Sequence, residues 1–150
     1  MQYINVAWHW GAMKNARIER LKLSMWQPDS AKVRRGRRAY QTGQASEQVV
    51  ERHYQAAGYC CLERRWRGRV GEIDLIMMRE DQIVMVEVKS SDRIETALAR
   101  VTPNKLSRVV AASQDFLVAT QRPLNTNMRI DVAVVSTLGQ VEVVENVTPY

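Results

Sequence analysis

The stretch from Val70 to Lys89 constrains this chain more than any other. "VGEIDLIMM" (70–78) and "IVMVEVK" (83–89) are two β-prone runs joined by the short polar link "REDQ", the pattern of an antiparallel hairpin. Strand side chains alternate faces. In the second run Val84, Val86 and Val88 share one face, and Ile83, Met85, Glu87 and Lys89 the other. Both faces are apolar until the end, which marks a central strand covered on both sides. In the first run Ile73, Leu75 and Met77 share one face; Glu72, Asp74, Ile76 and Met78 share the other. Pairing Met78 with Ile83, or equivalently Arg79 with Gln82, sets Asp74 opposite Glu87 and Glu72 opposite Lys89. Opposed residues in such a pair have Cβ atoms about 5 Å apart. A slip of one residue would undo the arrangement, so the inference depends on register.

Two carboxylates held together in a poorly solvated place repel each other. Either one keeps its proton or a cation sits between them. Oxygen donors suit a hard cation, Mg²⁺ above all, with Mn²⁺ as a substitute. Such an ion can polarise a phosphate and activate water. Lys89, one strand step from Glu87, is placed to stabilise developing negative charge. The competing reading is a structural Asp/Glu/Lys network at a strand end.

Elements flank the hairpin in a recognisable order. Val50, Tyr54 and Ala57 recur at helical spacing, predicting a helix over 44–57 that Gly58 closes. On that helix Glu47 lies about 20° from Tyr54, since seven residues advance nearly two full turns. It therefore borders the packed stripe, either reaching the acidic site or standing in solvent. "YCCLERRW" (59–66) reads as a strand. Thr102 followed by Pro103 is an N-cap and first helical position, and Leu106, Val109, Val110, Phe116 and Leu117 follow at helical spacing. "MRIDVAVVS" (128–136) and "VEVVENV" (141–147) are two further strands, and 91–101 is a loop with room for one helical turn. Helix, three strands, helix and two strands predict an α/β sandwich around a small mixed sheet.

Charge divides the chain. Residues 1–42 carry nine Lys/Arg against Glu19 and Asp29, a net +7, whereas the rest carries 13 against 14, a net −1. The expected organisation is a basic, weakly ordered extension (1–42), with a helical turn allowed at 13–26, and one domain (43–150). The extension is either a phosphate-backbone contact or a solvated tail, or it precedes a later start at Met13 or Met25. No apolar run of about 18 residues predicts a membrane span, and the N-terminus lacks a secretory h-region. Adjacent Cys60 and Cys61 are read as small buried thiols of a reducing cytoplasm. No Cys/His zinc spacing, Ser/His/Asp arrangement or Gly-rich phosphate loop is present. Arg64, Arg65, Arg67 and Arg69 surround Trp66, either gripping phosphates and stacking a base or forming a solvated rim on a core tryptophan. Lys105 and Arg108, on the exposed part of the second helix, are read in the same two ways. Arg129 and Asp131 share a strand face and form an ion pair that supports the sheet.

"GEIDLI", followed about a dozen residues later by "VEVK", resembles the D…(D/E)xK signature of the restriction-endonuclease-like (PD-(D/E)XK) nucleases. With "SEQVVERHYQAAGYCCLERRWRGRV", "PNKLSRVVAAS" and "MRIDVAVV", the chain from Gly43 to Val147 looks like the uncharacterised bacterial YraN-like family, relatives of the archaeal Holliday-junction resolvases. The resemblance implies a restriction-endonuclease-like three-layer sandwich with an αβββαβ core. It makes Asp74 and Glu87 metal-binding carboxylates and Lys89 the motif lysine. Glu47 matches a helix glutamate found at the catalytic and metal site of resolvase-like members. Ile73 stands where the signature has proline. The implied activity is Mg²⁺-dependent hydrolysis of DNA phosphodiesters, with branched or flapped DNA as candidate substrates. DNA is favoured over RNA, and analogy suggests a homodimer. The alternative is a non-catalytic nucleic-acid-binding or scaffolding module that keeps the fold.

Overall fold

The computed structural model describes residues 31–147. The expected helical turn at 13–26 lies outside them. The chain divides into two units, Met1–Arg38 and Ala39–Tyr150. Of the first, the described part is the opening of helix α1 (Ala31–Ala56), where residues 31–36 are exposed. The helix thus begins 13 residues before the expected Gln44. No apolar stripe marks this extension. Its Arg, Lys, Ala and Gln residues are good helix formers that outweigh Gly36 and Gly43, each costing about 1 kcal/mol relative to alanine.

In the second unit α1 ends as expected: Gly58 takes φ +86, and the Tyr59 amide donates back to the Tyr54 carbonyl. Strands β1 (Cys60–Arg67), β2 (Glu72–Arg79) and β3 (Gln82–Ser90) follow as an antiparallel meander. A short helix α2 (Ile94–Leu98) and the longer α3 (Pro103–Ala119) lead to β4 (Met128–Val135) and β5 (Val141–Val144). The five strands form one sheet in the order β1-β2-β3-β4-β5; only the β3–β4 pair is parallel. A parallel pair needs a long crossover, and α2 with α3 supplies it.

β3 is central, and Ile83 through Val86 are fully buried. Val84 and Val86 pack with Val50, Tyr54, Leu75 and Met77 on the α1 face. Ile83 and Met85 pack with Ile76, Val109, Phe116 and Leu117 on the α3 face. The sheet lies between the two helices, as alternation in "IVMVEVK" requires.

β2 departs from simple alternation. Ile73 sits with Ile76 on the α3 side, while Leu75 and Met77 lie on the α1 side. Its neighbour β1 is irregular too: the pairing shifts between Cys61 and Glu63, and Arg65 adopts φ +51. This left-handed residue lets Arg64 and Arg65 both reach glutamates of α1 while Trp66 turns to α3. Cys60 is exposed and Cys61 half-buried, both free, where two buried thiols were expected. A first strand with one open edge leaves its start in water.

On the α1 face the expected Arg129–Asp131 pair is the centre of a larger network. Asp131 is fully buried, and its carboxylate accepts from Arg129, from the Tyr54 hydroxyl at 2.8 Å and from the Asn146 amide at 3.0 Å. Burial, then the Asp131 charge, push the Tyr54 hydroxyl far above its usual range, so it remains a phenol donor.

Candidate functional site

The hairpin register is the expected one from Arg79↔Gln82 to Leu75↔Val86. There the ladder stops. Asp74 does not continue it as a backbone partner of Glu87; its Oδ2 accepts from the Val88 amide at 2.8 Å. A side-chain carboxylate of β2 thus replaces a backbone carbonyl and fixes Asp74 against the end of β3.

On β3, alternation carries Glu87 and Lys89 to the α3 face. Glu87 is only 2% exposed, yet it is an ionisable group, and such groups are buried only with partners. Its partners are two ammonium groups. Lys89 Nζ donates to Oε1 at 2.5 Å, and Lys105 Nζ lies 3.0 Å from Oε2. The second contact is an ion pair without hydrogen-bond alignment, and Oε2 is a buried oxygen with no hydrogen bond. Lys105 is presented by the first turn of α3. That turn is set by Thr102, whose side chain accepts from the Lys105 amide at 3.2 Å, and by Pro103 at the helix start.

Burial, followed by the charge of Glu87, pushes the Asp74 carboxyl up from its ordinary 3.8 to about 6, against the opposing pull of the Val88 amide, Lys105 and Lys89. An acid that holds its proton more tightly when folded stabilises the fold while protonated. That contribution is present below about pH 4 and is lost as pH rises towards about 6. Without divalent ions, the melting-temperature difference between the parent and Asp74→Asn is therefore expected to shift against the parent between pH 4 and 6. A pH-independent difference would contradict this.

The donor set fits a hard cation in two respects. It offers two carboxylates close enough for one to raise the other's pKa, and Glu87 has an oxygen that no hydrogen bond uses. Asp74 and Glu87 are the residues able to hold such an ion. Among the described residues no group of three or more His, Cys, Asp or Glu side chains converges on an ion position. Glu47 is accordingly not brought to the pair. Arg65 holds it bidentately, Nε to Oε2 and Nη2 to Oε1, each at 2.8 Å. Glu72, expected opposite Lys89, pairs instead with Arg67 at 3.1 Å, because the ladder opens before reaching it.

The remaining candidates are held by the fold. Arg64 pairs with Glu51 and Arg69 with Asp115. Arg108 donates to the Val70 carbonyl at 2.7 Å. Trp66 donates to the Ala112 carbonyl and meets Phe116 edge-on at 5.4 Å between centroids, a packing role. Arg67 and Arg69 keep 80% and 88% of their side-chain surface, so pairing leaves them accessible to a ligand. Sequence reasoning read Lys105 as a phosphate contact or a solvated helix charge and missed its place beside Glu87. The Thr102–Pro103 start places Lys105 in the first turn of α3 but carries no signal of what that turn meets.

An α/β protein with an open five-stranded mixed sheet, carrying two acids and two lysines where its central hairpin meets a helix start, is the class that fold and site define. A family model described as "Uncharacterised protein family UPF0102" matches residues 46–135. A UPF0102 protein of Roseobacter denitrificans is 41% identical over 117 residues, 78% of this chain and 91% of the relative. One from Ruegeria pomeroyi is 43% identical over 112 residues, 75% of this chain and 91% of the relative. Another, from Cereibacter sphaeroides, is 40% identical over 111 residues, covering 74% and 95%. The chain belongs to the UPF0102 family. Among the described residues no helix is long and apolar enough to cross a membrane.

Proposed function

We propose that this chain is a divalent-metal-dependent nuclease of the restriction-endonuclease-like superfamily that hydrolyses DNA phosphodiesters, with branched or flapped DNA as candidate substrates. The observation that carries the reading is the meeting of Asp74, Glu87 and Lys89, the residues the D…(D/E)xK resemblance singles out, at one end of the β2–β3 hairpin. When bound, Mg²⁺ supplies Lewis acidity and lowers the pKa of water. The chain's own part is positional. Val88 N–H orients Asp74, burial keeps Glu87 from wandering, and Lys89 offers an ammonium to a phosphate oxygen or to developing charge.

Branched, duplex and single-stranded DNA incubated in Mg²⁺ or Mn²⁺ test this. Cutting should require the ion and fall by about 100-fold or more in Asp74→Ala, Glu87→Gln and Lys89→Ala, the scale of losing one preorganised charge partner. Variants that cut like the parent would show the activity to be a contaminant.

A second reading, a nucleic-acid-binding module without catalysis, is supported by the exposed Arg34, Arg35 and Arg38 of α1 in the basic segment 1–42, since residues 43–150 carry a net charge of −1. It expects salt-sensitive DNA binding that survives Asp74→Ala and weakens when the exposed Arg34, Arg35 and Arg38 of α1 become glutamine. Divalent-ion binding that needs both Asp74 and Glu87 would decide for the nuclease.

A further inference from the structure

Asp74, Glu87, Lys89 and Lys105 form a group whose formal charges sum to zero with both acids ionised. Adding a divalent ion to a neutral, partly buried group leaves it at +2, a poor state where water is scarce. Departure of one ammonium lowers that to +1 and so favours binding. The two lysines are not equivalent. Lys89 shares a strand face with Glu87, makes an aligned hydrogen bond to Oε1 at 2.5 Å and is 23% exposed. Lys105 comes from a separate element, stands 3.0 Å from Oε2 without alignment and is 32% exposed at the start of α3. Its side chain has the shorter way to water and the weaker hold.

We propose that Lys105 is a built-in counter-ion of the carboxylate pair, and that a divalent ion binds by displacing its ammonium from Glu87 Oε2. The inference rests on the reading above that Asp74 and Glu87 hold the ion. It adds that occupancy is an exchange of one cation for another. Without the ion, Lys105 thereby offsets the charge at the buried Oε2 of Glu87, the oxygen that no hydrogen bond reaches. Once displaced, the Lys105 ammonium is free at the rim of the site, where a phosphate oxygen of the substrate would meet it.

Titration calorimetry with Mn²⁺ tests the exchange without reference to activity. The full chain is compared with Lys105→Met, Lys105→Arg and Asp74→Asn, and melting temperatures are taken with and without Mn²⁺. Lys105→Met keeps the aliphatic stem and removes the competing charge. It should bind Mn²⁺ about tenfold more tightly than the parent, the worth of one charge-assisted contact. Mn²⁺ should also raise its melting temperature more than it raises the parent's. Lys105→Arg should behave as the parent, and Asp74→Asn should lose binding. Binding seen in Lys105→Met but too weak to detect in the parent also supports exchange. Equal or weaker binding in Lys105→Met, with Asp74→Asn still losing it, overturns the exchange and leaves the ion site standing. No binding in any form, or binding indifferent to Asp74→Asn, overturns both. Should Lys105→Met melt below the working temperature, Lys105→Gln gives the same comparison.

Discussion

Asp131→Ala is expected to destabilise the protein by about 3–5 kcal/mol, the cost of breaking a buried ion pair by removing one partner. Asp131 is fully buried, and four hydrogens from three residues converge on it: Tyr54 O–H, Asn146 N–H, and Arg129 Nε and Nη2. Alanine would strand all of them. Arg129 would keep Gln82, Tyr59 and Glu145 as partners, but only Glu145 carries an opposing charge, and that residue is largely in solvent. For a domain of this size the loss corresponds to a fall in melting temperature on the order of 10–20 °C. Tyr54→Phe removes a single donor and should cost about 1–3 kcal/mol, leaving one acceptor position unmet. Urea titrations of the two variants measure both. An Asp131→Ala effect below that of Tyr54→Phe would mean that Arg129 finds adequate solvation elsewhere.

The second large effect is steric. A Cβ on Gly71 would stand 2.3 Å from the carbonyl oxygen of Arg108 and 2.9 Å from its carbonyl carbon. Both are backbone atoms of α3, so no side chain can move aside to make room. Gly71→Ala is expected to cost about 2–3 kcal/mol as overpacking. The turn cannot simply lift away: Arg108 holds the Val70 carbonyl, and Arg69 grips Asp115 through both its backbone amide and its guanidinium. Arg108 lies one helical turn after Lys105, so displacing α3 here also shifts the ammonium beside Glu87. Gly43→Ala is the informative contrast. It lies within α1, its Cβ would meet nothing within 4 Å, and it should stabilise by up to about 1 kcal/mol. Equal effects of the two substitutions would refute the packing argument.

What the sequence made legible was local. Alternation in "IVMVEVK" gave the central strand and its two faces, because a strand covered on both sides must be apolar on both. The polar link "REDQ" fixed the register from Arg79↔Gln82 to Leu75↔Val86. Thr102 and Pro103 marked the start of α3, because capping is satisfied within a few residues. What stayed hidden depends on conformation or docking. The left-handed Arg65 carries no residue-type signal, since glycine or asparagine is the usual occupant of such a φ. That conformation lets Arg65 reach Glu47 on α1, whereas Glu87 and Lys89 lie on the α3 face of the sheet. The opening of the ladder at Asp74 turns on one side chain competing with a carbonyl for the Val88 amide. Lys105 reaches Glu87 only because α3 lies across that end of the sheet, a tertiary fact that helical spacing within "PNKLSRVV" does not contain.

The single parallel pairing in the sheet has a consequence for how the chain assembles. Strands β2 and β3 are joined by a two-residue turn, so the segment bearing Asp74 and Glu87 can zip up on the microsecond scale of hairpins. The β3–β4 ladder must wait for the 37 residues from 91 to 127 to loop back, a closure whose entropy slows the nucleus. Lys105 travels with that late-arriving loop. The two acids are thus joined by a turn local in the chain, whereas their second lysine depends on the long crossover that the parallel pairing requires.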